Sequence, residues 1–171
     1  MIKFIKGIDE FVLSYVSKFK NKTFSRIMVV ISTMGNSGLI WFAIAIPLIV
    51  NRPYRLIGIK IILSILLTGF LGEVIVKRAV GRARPSKSIL QEDLLIKKPK
   101  SYSFPSGHTS SCIGASSTIA FCCGALCIPA FIFAGLMAFS RLYLKVHYLS
   151  DVLAGAILGV ICSVIVNVFI F

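Results

Sequence analysis

Long uncharged stretches divide this chain. Ile27 to Val50 carry no charge over 24 positions, Thr109 to Ser140 none over 32 and Val152 to Phe171 none over 20, while a fourth stretch, Leu56 to Val76, is interrupted only by Lys60 and Glu73. A helix that crosses the hydrocarbon core of a bilayer needs about 20 mostly apolar residues, so each stretch is long enough to span. In the fourth, Lys60 lies near one end, where its side chain can reach the interface. Glu73 lies deeper and requires a partner or water in the bundle interior.

The 32-residue run is too long for one ordinary crossing and holds Gly124 and Pro129 near its middle, where a turn is favoured. It is expected to form a helical hairpin of two helices of about 17 residues, each about 25 Å long. That geometry returns His108 and Arg141 to the same side, whereas a single tilted span would put them on opposite faces. In the first run, Gly35, Asn36, Ser37 and Gly38 form a turn-like cluster, so the run is either one kinked span or a half-span followed by another. Residues 1–26 mix Lys3, Lys6, Lys18, Lys20, Lys22 and Arg26 with Phe4, Ile5, Ile8, Phe11, Val12, Leu13, Tyr15 and Phe19. This pattern predicts an amphipathic interfacial helix. A signal peptide fits less well, because no adequate apolar core lies near the start and no A-x-A-like site precedes Ile27.

The expected fold class is therefore all-α, a polytopic membrane helical bundle of about five transmembrane spans. An N-terminal amphipathic interfacial segment (1–26) precedes a membrane-embedded domain (27–171). Composition agrees: 57% of the 171 residues are apolar and 15% charged, with a mean hydropathy of +0.90. Such a balance excludes a disordered chain and an ordinary water-soluble domain. Nineteen Lys and Arg against six Asp and Glu leave a net charge of +13, which favours an anionic partner. With this hydropathy the expected partners are the bilayer and a lipid phosphate, with no nucleic acid; nothing in the sequence sets an oligomeric state. Cys112, Cys122, Cys123, Cys127 and Cys162 all fall in expected spans, without zinc-module spacing, and are expected to pack as small apolar groups.

Three polar clusters sit at span ends that this topology places on one side. The first is Lys77, six residues, then Arg84-Pro85; the second is Pro105-Ser106-Gly107-His108; the third runs from Ser140-Arg141 through five residues to His147 and three more to Asp151. Lys77, Arg84 and Arg141 supply cations suited to phosphate oxygens, the arginines in bidentate fashion. Ser106-Gly107-His108 opens a helix whose free N–H groups and dipole attract an anion, and Ser106 is expected to cap that helix. His147 and Asp151 stand four apart, on one face if the local turn is helical, so the carboxylate can fix the imidazole tautomer and leave the other nitrogen free as a nucleophile. His108 then suits a general acid that protonates the leaving oxygen and later activates water, which predicts a bell-shaped pH dependence. Singly, each of these residues is explained by headgroup contact or helix-end charge; three clusters with complementary roles are not.

These clusters resemble the three-part signature of the type 2 phosphatidic acid phosphatase family, with every signature position filled. The resemblance implies hydrolysis of a lipid phosphate or diphosphate, without metal or other cofactor, through a phosphohistidine. It implies His147 as nucleophile, Asp151 as its orienting partner, His108 as general acid, and Lys77, Arg84, Ser106, Gly107 and Arg141 as phosphate-binding residues. Glu92 and Asp93 are too isolated to suggest a metal site. Vanadium haloperoxidases share the signature but resemble soluble helical proteins, against this hydropathy. A non-catalytic lipid-phosphate binder or transporter is the other alternative, and it has no need for the His147 and Asp151 pair.

A polyprenyl diphosphate, phosphatidylglycerol phosphate and phosphatidic acid all present the same terminal phosphate, and no residue discriminates among them. With five spans, 16 of the 19 Lys and Arg share the side of the clusters, which by the positive-inside rule points to the cytoplasm. The resemblance points instead to a multi-pass protein of the bacterial plasma membrane whose site faces the extracytoplasmic side, and this is the orientation expected here.

Overall fold

The computed structural model describes residues 2–19 and 21–170. Met1 and Lys20, in the expected amphipathic segment, and Phe171, at the end of the last expected span, lie outside the described residues. All regular elements among the described residues are helical: α1 (Ile2–Val16), α2 (Lys22–Met34), α3 (Leu39–Val50), α4 (Arg55–Gly69), α5 (Lys77–Val80), α6 (Gly107–Cys123), α7 (Cys127–Tyr143) and α8 (Leu149–Val164), with short 3-10 and π segments between or after them.

The first uncharged run begins earlier than its charges suggested. Asn21 Oδ1 accepts from Thr23 N at 2.9 Å, which caps α2 at Lys22 and draws Lys22 and Arg26 into the helix. The turn-like cluster breaks the run: Ser37 and Gly38 take φ of 52° and 71°, and α2 and α3 meet at a 53° bend. The cluster therefore forms a kink, and it places Ser32 to Gly38 level with the polar clusters rather than midway through a straight span.

α4 runs through a π-helical segment, Phe70–Val76, into α5, and Gly81 (φ 60°) ends it. π segments recur where a functional side chain must be re-aimed. Here it stands immediately before Lys77, whose Nζ is 2.5 Å from Glu73 Oε1, so the deep carboxylate has its partner. α6 and α7, 17 residues each, turn back on one another at Gly124–Leu126, and His108 and Arg141 line one cavity. Helices 52–80 and 149–170 are long and apolar enough to cross a bilayer, and the bent α2 and α3 pair would make a third.

α6 crosses α8 at backbone contact. A Cβ on Gly155 would lie 2.6 Å from Ser106 O, and one on Gly159 would lie 2.5 Å from Ser110 O; this Gly-x-x-x-Gly face is the small-residue spacing that lets membrane helices close up. The approach lets Ser106 N donate to Asp151 O at 3.0 Å, which fixes the second polar cluster against the third. Trp41, Ile61, Ile65, Cys112 and Met137 form the core between α3, α4, α6 and α7. A second cluster, Val16, Met28, Tyr143, Leu144 and Val146, seats α1 and α2 against the end of α7. All five cysteines are free. α1 exposes Phe4, Phe11 and Tyr15 on one face and buries Asp9 and Val16 on the other.

Candidate active site

Six of the eight residues singled out in the sequence, Lys77, Arg84, Gly107, His108, Arg141 and His147, line a single cavity of about 510 Å³. They arrive from four places: the start of α5, the following loop, the first turn of α6, and the last turn of α7 with the chain beyond it. Asp151 stands behind His147 and is fully buried. Ser106 differs from expectation. It is buried and is not among the cavity-lining residues. It occupies the N-cap position of α6 without a side-chain cap, and its hydroxyl pairs with Thr109 Oγ1 at 2.9 Å instead. The tight crossing of α8 turns Ser106 inward and leaves Gly107 facing the cavity.

Arg84 fixes the state of His147. Its Nη1 lies 2.9 Å from His147 Nε2, and since a guanidinium only donates, Nε2 accepts and the ring hydrogen sits on Nδ1. Nδ1 faces Asp151 Oδ2 at 3.6 Å and has no closer partner, a gap that a catalytic pair can close once substrate binds. Burial, with Arg84 and Arg141 nearby and only partly opposed by Asp151, pushes the His147 imidazole down to about 3. The ring is neutral at ordinary pH. The four-residue spacing does not lie on a formed helix, because α8 begins at Leu149 with Tyr148 as its N-cap. Asp151 is its third residue and accepts from Tyr148 N at 2.9 Å in a reciprocal cap.

The remaining bonds of Arg84 go to Ser101 O (2.8 Å), Ser101 Oγ (3.0 Å) and Val146 O (2.9 Å). Arg141 Nη1 donates to Ser32 Oγ, and its buried Nε has no partner. Lys77, Arg84 and Arg141 are each under a tenth exposed. Glu73 pairs with Lys77, while Arg84 and Arg141 form no ion pair among the described residues; cations held out of water are costly unless an anion joins them, a setting that suits an oxyanion. His108 Nε2 lies 3.0 Å from Asn36 Oδ1.

At His108, Gly107 and Glu73 this cavity adjoins a second of about 500 Å³, an apolar groove lined by Phe42, Ile65, Leu66 and Phe70. Among the described residues no group of three or more His, Cys, Asp or Glu side chains is placed to hold a metal ion.

Sequence reading missed the site positions of Asn36 and Ser32, whose only signal was the turn-like cluster that holds Asn36 and lies just after Ser32. It also missed Arg82, two positions before Arg84, and Asp9 on α1. Arg82 Nη1 donates to Asp151 Oδ1 at 2.7 Å and its Nη2 to Asp9 Oδ2 at 2.7 Å. Its guanidinium stacks 4.1 Å over the Tyr148 ring.

The sequence profile of the PAP2 superfamily matches residues 57–171. An undecaprenyl-diphosphatase of Sulfolobus acidocaldarius is 33% identical over 138 residues, 80% of this chain and 66% of that protein. A decaprenylphosphoryl-5-phosphoribose phosphatase of Mycobacterium tuberculosis is 36% identical over 94 residues, 55% and 51% of the respective lengths. The chain thus spans between half and two thirds of these curated relatives. Among solved structures, a transmembrane PAP2-type phosphatidylglycerolphosphate phosphatase of Bacillus subtilis superposes with a TM-score of 0.78 at 23% identity, covering 96% of this chain and 85% of that one. LpxE of Aquifex aeolicus gives 0.75 at 27% identity, covering 92% and 93%.

Proposed function

The chain belongs to the PAP2 superfamily, and on that premise we propose that it is an integral membrane lipid phosphatase that removes the terminal phosphate of a lipid phosphate or diphosphate through a phosphohistidine on His147. One observation carries this reading: a cavity with three buried cations around a neutral imidazole whose Nε2 lone pair faces Arg84 adjoins, at His108, an apolar groove able to take a lipid tail.

In this mechanism the terminal phosphoryl group lies among Lys77, Arg84 and Arg141, with the first N–H groups of α6 at Gly107 completing the anion site. His147 Nε2 attacks phosphorus as the bond to the leaving oxygen breaks. His108, at the mouth of the groove, protonates that oxygen. Asp151 takes up the Nδ1 hydrogen bond as positive charge grows on the ring. Water activated by His108 then attacks phosphorus, the P–N bond breaks, and phosphate and neutral His147 are released. Three fixed cations carry the charge stabilisation that phosphoryl transfer needs, and the reaction proceeds without a metal. Ser106 acts from behind, fixing the start of α6 to Asp151 rather than touching phosphate.

The relatives named for undecaprenyl diphosphate and for a decaprenylphosphoryl sugar support a polyprenyl carrier as one candidate substrate, beside phosphatidylglycerol phosphate and phosphatidic acid. The chain crosses the bacterial plasma membrane about five times, at α3, at the α4 to α5 helix, twice in the α6 and α7 hairpin and at α8, with α2 at the level of the site and α1 lying in the interface over its exposed aromatic face. The site faces outward. Phosphate release by detergent-purified protein from these three lipids, with EDTA present, tests the assignment. Release from at least one lipid is expected; none from any of them, by folded protein that still binds lipid phosphate, would favour the binding or transport alternative.

A further inference from the structure

Asp9 and Arg82 form a bridge to the reactive pair from outside the three polar clusters. Asp9 is 1% exposed on a helix whose other charged residue beside it, Glu10, is exposed, and it precedes the region matched to the family. Its Oδ1 accepts from Ser150 N at 2.9 Å and its Oδ2 from Ser150 Oγ at 2.7 Å, so a carboxylate from α1 caps the first turn of α8. Arg82 joins that carboxylate to Asp151, with one nitrogen on each. Arg82 thereby occupies Asp151 Oδ1 and leaves Oδ2 turned toward His147 Nδ1.

A lone carboxylate beside His147 would be free to rotate about its Cβ–Cγ bond, or to spend both oxygens on the helix cap. With Oδ1 held by Arg82 and Oδ2 held by Tyr148 N, neither is open to it, and only the approach to Nδ1 remains to be made. We infer that Asp9 and Arg82 are positioning residues: they hold Asp151, and through it His147, in register for attack, and make the N-terminal helix a working part of the active site. The inference rests on the reading of His147 as nucleophile.

The test compares kcat, KM and inhibition by inorganic phosphate, per folded molecule, in Asp9→Asn, Arg82→Gln, the double variant and His147→Ala, with exposed Glu10→Gln as the neutral neighbour. Misplacing a reacting group by about 1 Å costs on the order of 100-fold, so kcat is expected to fall about 10- to 100-fold in each single variant, with KM and phosphate inhibition near wild type. The double variant should fall no further than the worse single, and Asp9→Glu should recover part of the loss. Wild-type kcat in Asp9→Asn and Arg82→Gln, with His147→Ala inactive, overturns the positioning role alone; turnover by His147→Ala overturns the nucleophile reading instead. Failure of both bridge variants to fold would mark the contacts as purely structural and also overturn it.

Discussion

Arg84 Nη1 covers the lone pair of His147 Nε2 at 2.9 Å, so in the proposed mechanism the cation that grips the phosphate also shields the nitrogen that attacks it. A phosphate oxygen entering the cavity competes for that guanidinium hydrogen. In the proposed mechanism, drawing it away would uncover the nucleophile where the substrate has just arrived and so couple binding to activation.

Arg84→Lys therefore removes more than a charge. A single ammonium cannot keep the Ser101 and Val146 contacts and still present two hydrogens to a phosphate. Loss of one such donor typically costs about 100- to 1,000-fold, and kcat/KM is expected to fall by that order; a change under about 5-fold would contradict the role given to the fork.

Asp151→Asn should spare binding and damage the chemistry. The amide keeps the shape but cannot stabilise the imidazolium and can present the wrong hydrogen to Nδ1. In a well-studied triad that change costs about 10,000-fold in kcat. A loss approaching that size, with inorganic phosphate inhibiting as before, is the expected result in steady-state assays.

Stability should fall with acid, and His147 should be one reason. Burial holds its folded pKa down to about 3 against an ordinary 6.5. Below pH 6.5 the unfolded chain takes up a proton that the folded chain refuses, so this residue costs nothing above that pH and destabilises progressively as pH falls toward 3. The thermal midpoint in detergent should drop between pH 7 and pH 4, and His147→Gln should flatten the slope; identical slopes would refute the assignment.

Gly159→Leu should prise α6 from α8, because a side chain there meets Ser110 O and Gly114 N at under 3 Å. Overpacking of this kind costs about 1–3 kcal/mol. A lowered thermal midpoint is expected, and activity should fall with it, since Ser106 N loses its hold on Asp151 O.

Much of this was legible in the sequence because the informative residues are cheap to read. Charge-free runs mark the long apolar helices, Gly124 marks the hairpin turn, and Lys77, Arg84, His108, Arg141 and His147 announce themselves as rare polar residues at the ends of uncharged runs. Residues whose meaning depends on a distant partner were not legible. Asp9 was not singled out in the N-terminal segment, and only its contact with Ser150, 141 positions away, marks it. Arg82 was hidden among the other cations of its loop. The missing side-chain cap at Ser106 was not legible because that residue's orientation is set by the glycines of α8, and Asn36 was passed over because a turn residue gives no sign of facing a histidine 72 positions later.

Ser88, exposed on the loop after Arg84, reports orientation. Introduced as Ser88→Cys in a cysteine-free background, it should react with an impermeant maleimide in intact cells. Labelling only after permeabilisation would place the site in the cytoplasm.

The most direct test of the central claim is transfer of label from a lipid substrate carrying ³²P in its terminal phosphate, with EDTA present and an alkaline quench to preserve P–N bonds. An acid-labile, base-stable label on His147, absent from His147→Ala and trapped more fully in a variant slowed at the hydrolysis step, is the predicted result. Steady turnover with no protein-bound label, or label undiminished in His147→Ala, would contradict it.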